Sequence, residues 1–322
     1  MATEAFARSV LGDIPAAALG ITFAHEHLVL DSPLIAAAFA HILLDDPAVA
    51  IAEVGLCRTA GVLSMVDAMP CAAGRKPRRL AEISSATGVN IIATTGLHHE
   101  RYYGEGHWTT QVSTDDLAQL FIDDVLIGMD EFDYTSPIIR RTTHRAGLIK
   151  VATGGGALTP RDRHLFEAAA HAHRVTGAAV LTHCEHGRGA VEQVEALTAL
   201  GVPAGAILLS HTDKIDDMSY HLEISQSGAW SLFDQSLRQA DQPVSTTARL
   251  IGQLAAADQL STVLVGTDGA RRNLWSSYGG APGLDWLALE LPRQLAAEGL
   301  SEAQVREIYV GNPARALAVR TD

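Results

Sequence analysis

The sequence predicts a (β/α)8 barrel on three observations. Eight short apolar runs alternate with helical patterns between residues 21 and 308. Five of these runs stop on a residue able to hold a metal ion: His25-Glu26-His27, Lys150, His183, His211 and Asp268. Those residues follow the first, fourth, fifth, sixth and eighth runs, and only a closed sheet sets the first strand beside the last. Periodicity alone also allows a doubly wound open sheet. The placement of these residues at strand C-termini, where barrel enzymes keep their chemistry, decides for the barrel.

Taken in order, residues 6–20 read as a short lead-in outside the barrel, with Gly12-Asp13-Ile14-Pro15 as a turn. The first strand is expected at 21–27. Asp45-Asp46-Pro47 then punctuates the start of a helix near residue 48. Residues 62–67 form the second strand and 78–87 its helix. The β-branched run 89–95 is the third strand, opening into a long polar loop, 98–110. Ser113 caps the following helix, which runs to about residue 128. The fourth strand is 146–153, and Thr159-Pro160 begins a helix with proline in its first turn. The fifth strand, 178–183, precedes a helix at 189–200. The sixth, 206–211, precedes one at 216–226, and the seventh, 229–234, precedes one at 245–257. The eighth, 262–268, is followed by a loop, a helix at 284–298, a terminal helix at 302–308 and an Asn312-Pro313 turn. With 322 residues and no linker or repeat, the chain reads as one barrel domain over 1–322, with 1–20 as an extension and 301–322 as helix and tail.

Composition narrows the function classes. Hydrophobic residues make up 47% and charged residues 19%, enough for a large core. A net charge of −13 disfavours nucleic acid as a partner. Cys57, Cys71 and Cys184 have no paired spacing, as expected of a reduced, cytoplasmic protein. Residues 1–20 lack an apolar signal core, and no run is long enough to span a membrane.

His25 and His27, one pleat apart, point to the same side of their strand and can share a cation, while Glu26 points away. Taken singly, His183 and His211 would read as core-edge histidines and Asp268 as a turn residue. Lys150, set after Leu148-Ile149, is the unusual one: a buried amine that loses its charge can add carbon dioxide and become an anionic carbamate. Four histidines, one such lysine and one aspartate exceed one tetrahedral zinc and suit two divalent ions about 3.5–4 Å apart. A water held between such ions is a hydroxide nucleophile at neutral pH, and Asp268 is placed to carry its proton.

The order and context of these residues resemble the phosphotriesterase family of the amidohydrolase superfamily over nearly the whole chain. The resemblance rests on Ala24-His25-Glu26-His27-Leu28, Ala93-Thr94-Thr95-Gly96, Ile149-Lys150-Val151-Ala152-Thr153, Thr182-His183, Ser210-His211-Thr212-Asp213, Asp216-Asp217-Met218-Ser219-Tyr220 and Asn312-Pro313-Ala314-Arg315. It implies that His25, His27 and Asp268 hold the more buried ion and His183 and His211 the more exposed one. Carboxylated Lys150 would bridge two ions, expected to be zinc. By the same resemblance, phosphotriester-hydrolysing members carry an acid where this chain has Lys214 and a histidine where it has Gln235, so their proton relay is absent here. Lys214, Arg238 and Arg271 add positive charge around the expected barrel mouth, which suits an anionic small-molecule substrate. The pattern looks most like lactonases of phosphorylated sugars, with Arg271 and Tyr278 as phosphate contacts, Lys214 or Arg238 helping, and Tyr102 or Tyr103 within reach of the hydroxide. The alternatives are a phosphotriesterase, an N-acyl-homoserine lactonase, or a ligand-binding barrel without catalysis. His98, His99 and His107 are expected to border the pocket. His41, His144, His164, His171, His173, His186 and His221 are expected at the surface or in structural roles. Family members are often homodimers, the expectation by analogy here.

Overall fold

The computed structural model describes residues 5–320, so the ends of the expected extension and tail, 1–4 and 321–322, lie outside the described residues. The lead-in is a hairpin of β1 (Phe6–Ser9) and β2 (Gly12–Pro15). The reversal falls at Val10 and Leu11, so Gly12–Pro15, expected as a turn, is instead a paired strand. Its register sets Arg8 opposite Asp13, and the guanidinium donates to both carboxylate oxygens at 2.8 and 3.0 Å. That charge-assisted pair fixes the hairpin as a strand pair.

Eight parallel strands follow: β3 (Thr22–Glu26), β4 (Ser64–Asp67), β5 (Asn90–Gly96), β6 (Ala146–Thr153), β7 (Ala179–Cys184), β8 (Ile207–Ser210), β9 (Trp230–Phe233) and β10 (Val263–Val265). Each pairs with its sequence neighbour, as in a barrel. The seam between β10 and β3 carries no regular ladder and is closed by point contacts. Thr267 and Asp268 donate backbone N–H to His25 O at 3.1 and 3.0 Å, and the Thr267 amide also donates to Glu26 Oε1 at 2.9 Å. The Thr267 hydroxyl donates to Glu26 Oε2. Gly266 makes this approach possible, since a Cβ there would lie 2.7 Å from His25 N and O.

The surrounding helices begin where the sequence punctuates them. Asp46 caps Pro47–Thr59, Ser113 caps Thr114–Leu126, Thr159 and Asp162 form a capping box on Pro160–Thr176, and Ser245 caps Thr246–Ala256. The helix expected at 284–298 is broken into Trp286–Leu289 and Leu291–Ala297. Pro292 has no N–H to return to Ala288, so the ladder stops there. The Asn312-Pro313 turn is instead the start of a helix, Asn312–Ala316, where proline near the first turn leaves no bond unmade. Asn312 Nδ2 ties that helix to the base of β10 through Leu260 O and Val263 O at 2.8 and 2.6 Å. A short helix absent from the sequence reading, Pro33–Ala38, follows β3 with Ser32 as its cap.

Candidate metal centre

All six expected ligands converge at the C-terminal mouth of the barrel and line one cavity of about 550 Å³. His25 and His27, on and just after β3, face Asp268 Oδ1 with Nε2 at 3.8 and 3.3 Å. His183, on β7, and His211, just after β8, meet through Nδ1 and Nε2 at 2.9 Å. Lys150, on β6, is 1% exposed and shares the same cavity. Gly96 on β5 lies against it: a Cβ there would overlap the Lys150 carbonyl. Two expected ligands adopt left-handed backbone, His211 at φ +66° and Asp268 at φ +45°, a conformation that costs a non-glycine residue about 1 kcal/mol or more. Among the described residues five other non-glycine positions share it, His186 on the cavity wall included.

The protonation states suit cation binding. Burial pushes His25 down to about 3 and His183 well below the ordinary histidine value, so both are neutral and can donate a lone pair. Burial likewise pulls the Lys150 ammonium down to about 8, which brings the neutral amine within reach near physiological pH. Burial opposes the charge on Asp268, but the Arg238 guanidinium beside it helps hold the carboxyl well below its usual range. Nε2 of His25 and Nδ1 of His27 are buried with no hydrogen bond among the described residues. Three donor groups lie close enough to share an ion: His25, His27 and Asp268; His25, His211 and Asp234; and His99, His183 and Glu185. Orphaned imidazole nitrogens beside ionised carboxylates fit divalent metal, which would satisfy them.

Asp234 was not anticipated as part of this site. It directly follows β9, as His211 follows β8, and that position was the available signal. Fully buried, it accepts from His211 Nδ1 at 2.8 Å and lies 2.9 Å from His25 Nδ1. Gln235 Nε2 also donates to it, at 2.5 Å, and so turns away from Asp268. Arg238 reaches Asp268 instead, donating to Oδ2 at 2.9 Å and to the carbonyls of Thr267 and Asp268 at 2.9 and 2.5 Å. Expected as a substrate contact, Arg238 does line the cavity, with its guanidinium committed to the aspartate.

Lys214 and Arg271 line the cavity, together with Arg101. Tyr278 is not on the cavity wall; the Arg272 guanidinium lies 4.3 Å over its ring. Tyr102 borders the site beside His98, with ring centroids 4.6 Å apart. Tyr103 is buried behind it, accepting from His98 N and donating to Cys71 O, which turns its hydroxyl away from the cavity. His41 and His186, expected outside the site, stand on its wall because the loops after β3 and β7 fold over the mouth. His99 joins the group around Glu185, whereas His107 caps a short turn at Trp108–Thr110. Leu30, Ile35, Phe39, Ile42 and Met69 supply the apolar part of the cavity lining. No helix among the described residues is long and apolar enough to cross a membrane.

Residues 6–317 match the sequence profile of the Phosphotriesterase family. A phospho-furanose lactonase of Mycoplasmopsis agalactiae is 31% identical over 327 residues, spanning 99% of this chain and 93% of that one. The crystal structure of an amidohydrolase from Mycoplasma synoviae superposes with a TM-score of 0.94 at 29% identity, covering 99% and 94% of the two chains. A lactonase from Listeria monocytogenes superposes with a TM-score of 0.89 at 28% identity, covering 98% and 100%.

Proposed function

Because the chain belongs to the phosphotriesterase family, a family of metal-dependent hydrolases, we propose that it opens the lactone ring of a phosphorylated sugar. The observation that carries this reading is that Lys214 and Arg271, with the Glu185-paired Arg101, line the same cavity as the ligand cluster in a protein of net charge −13. The names of the relatives, phospho-furanose lactonase and lactonase, support the same choice. The whole chain from 1 to 322 is taken as one catalytic domain.

In this reading His25, His27 and Asp268 hold one divalent ion, zinc being the metal this donor set suits. His183 and His211 would hold the second, and Lys150, once carboxylated by carbon dioxide, would supply an anionic ligand to the pair. When bound, such a pair supplies an acidified water and a Lewis acid for the carbonyl. Asp268 is the proton carrier. Arg238 takes one lone pair of Oδ2, and the other is free to accept the proton of the attacking water and return it to the ring oxygen as the carbon–oxygen bond breaks. Arg238 also steadies this carboxylate where Lys214 and Gln235 cannot form a relay. Arg271 and Lys214 orient the anionic end of the substrate.

The test is a panel of zinc-loaded assays with a phosphorylated lactone, the same lactone without phosphate, and a phosphotriester. The phosphorylated lactone should be preferred. Arg271→Met should lower kcat/KM on it by roughly thirty- to a thousand-fold, the about 2–4 kcal/mol of a lost charge-assisted contact, and spare the plain lactone. Equal losses on both would assign Arg271 to the scaffold, and no preference for phosphate would sink the phosphosugar reading. The apolar wall at Ile35, Phe39 and Ile42 favours one second reading, an N-acyl-homoserine lactone, and this would show as preference for an acylated lactone in the same panel.

A further inference from the structure

Two carboxylates touch the His183–His211 pair from opposite sides. His183 places Nε2 2.8 Å from Glu185 Oε2 and turns Nδ1 toward His211. His211 places Nδ1 2.8 Å from Asp234 Oδ1 and turns Nε2 toward His183. An ionised carboxylate can only accept, so each draws the single N–H of a neutral imidazole to its own side. The nitrogens left bare are Nδ1 of His183 and Nε2 of His211, and these are the two that stand 2.9 Å apart. Two lone pairs at that distance repel unless a cation lies between or beside them.

We propose that Glu185 is a positioning residue of the metal centre: it fixes His183 as the Nε2–H tautomer and thereby presents Nδ1 to the ion. Histidine ligands commonly donate their second ring N–H to a carboxylate, which sets both ring orientation and basicity. Asp234 performs that task for His211 from the neighbouring strand. Glu185 performs it for His183 from only two residues downstream, in the short turn Glu185–Gly187 after β7.

Glu185 is itself braced. Arg101 donates to both its oxygens at 3.2 and 3.5 Å, His99 Nε2 lies 3.3 Å from Oε2, and His186 Nε2 lies 3.5 Å from Oε1. Arg101 and His99 belong to the polar loop after β5, which thus reaches His183 through this carboxylate as well as through the His98 and His99 rings, 4.7 and 5.4 Å from the His183 ring. His99, His183 and Glu185 also have the donor types of a third ion site. The Arg101 guanidinium on the same carboxylate opposes a further cation there, and the group is assigned as a brace.

The inference rests on the two-ion reading of the centre, and its test separates the two. Zinc affinity is measured by chelator competition, with no substrate present, for the wild type, Glu185→Gln and Glu185→Ala. The side-chain tautomer of His183 is read from nitrogen-15 spectra of the zinc-loaded proteins. The wild type should bind two ions. Glu185→Ala should weaken one site about 10–100-fold, the usual cost of losing a partner behind a ligand, and leave the other unchanged. Glu185→Gln should lose less, because its amide oxygen still accepts from Nε2–H. The Nε2–H signal of His183 should be uniform in the wild type and mixed in the alanine variant. Unchanged affinity in a folded Glu185→Ala, or equal weakening of both sites, overturns the proposal. So does a third zinc in the wild type that Glu185→Gln abolishes. A wild type that binds fewer than two ions instead defeats the two-ion reading itself.

Discussion

Glu26 sits between the two metal-type histidines of β3, yet its carboxylate turns the other way and is fully buried against Thr267. Burial pushes it up to about 8 from the ordinary 4.5. The sign of the consequence follows from proton counts. Between those values the folded protein holds a proton that the unfolded chain has released, so stability falls as pH rises through that window. Metal-stripped protein should therefore lose melting temperature between about pH 5 and about pH 8, and Glu26→Gln should flatten the profile there. Parallel profiles for wild type and variant would mean that Glu26 is ionised in the fold. At this scale the sequence was legible where a residue acts through its strand position. His25, His27, Lys150, His183, His211 and Asp268 lie on strands or just past their C-terminal ends and line one cavity. Asp234 shared the strand-end position, but its contacts to His25 and His211, like that of Glu185 to His183, are made between side chains, and no spacing rule describes them.

Among the elements, the loop after β10 depends on a helix far from it in sequence. Glu53, fully buried on Pro47–Thr59, accepts backbone N–H groups from Ser276 at 3.3 Å, Ser277 at 2.8 Å and Leu284 at 2.8 Å. One carboxylate thus shapes the segment that follows Arg271 and contains Tyr278. Glu53→Ala should cost about 2–4 kcal/mol in urea unfolding, since three buried N–H groups lose a charged acceptor. Because Arg271 precedes this segment directly, KM for the substrate should rise more than kcat falls. A stability loss with unchanged KM would show that the loop holds its shape at the mouth without Glu53. The alternation of strands and helices was readable because caps and apolar runs are local signals. The loop was not, since its shape comes from a residue more than two hundred positions earlier. The broken helix at 286–297 and the helical Asn312-Pro313 show the same boundary from the other side: proline marks a place without saying whether a helix stops or starts there.

For the molecule as a whole, the decisive contact is the seam between β10 and β3. Gly266 lets the two backbones approach, and His25 O accepts from both Thr267 and Asp268. Gly266→Ala would push its Cβ into His25, an overpacking cost of about 1–3 kcal/mol. Because the displaced residue is itself a candidate ligand, melting temperature and zinc content should fall together in calorimetry and elemental analysis. A lower melting temperature with full zinc would separate the seam from the site. The closed barrel was inferable from sequence because ligands of one site were split between the first and last strands, a requirement no open sheet meets.

The seam joins Glu26 to Thr267 across 241 positions of chain. During synthesis the two histidines of β3 emerge first, and their aspartate partner emerges only when nearly all the rest has been made. A nascent or truncated chain therefore carries the two imidazoles without their carboxylate, and the His25, His27 and Asp268 group is complete only when the final strand docks. In the proposed two-ion reading, the ion at that seam works as a latch that engages only after the circle is complete, so its retention would certify a finished molecule.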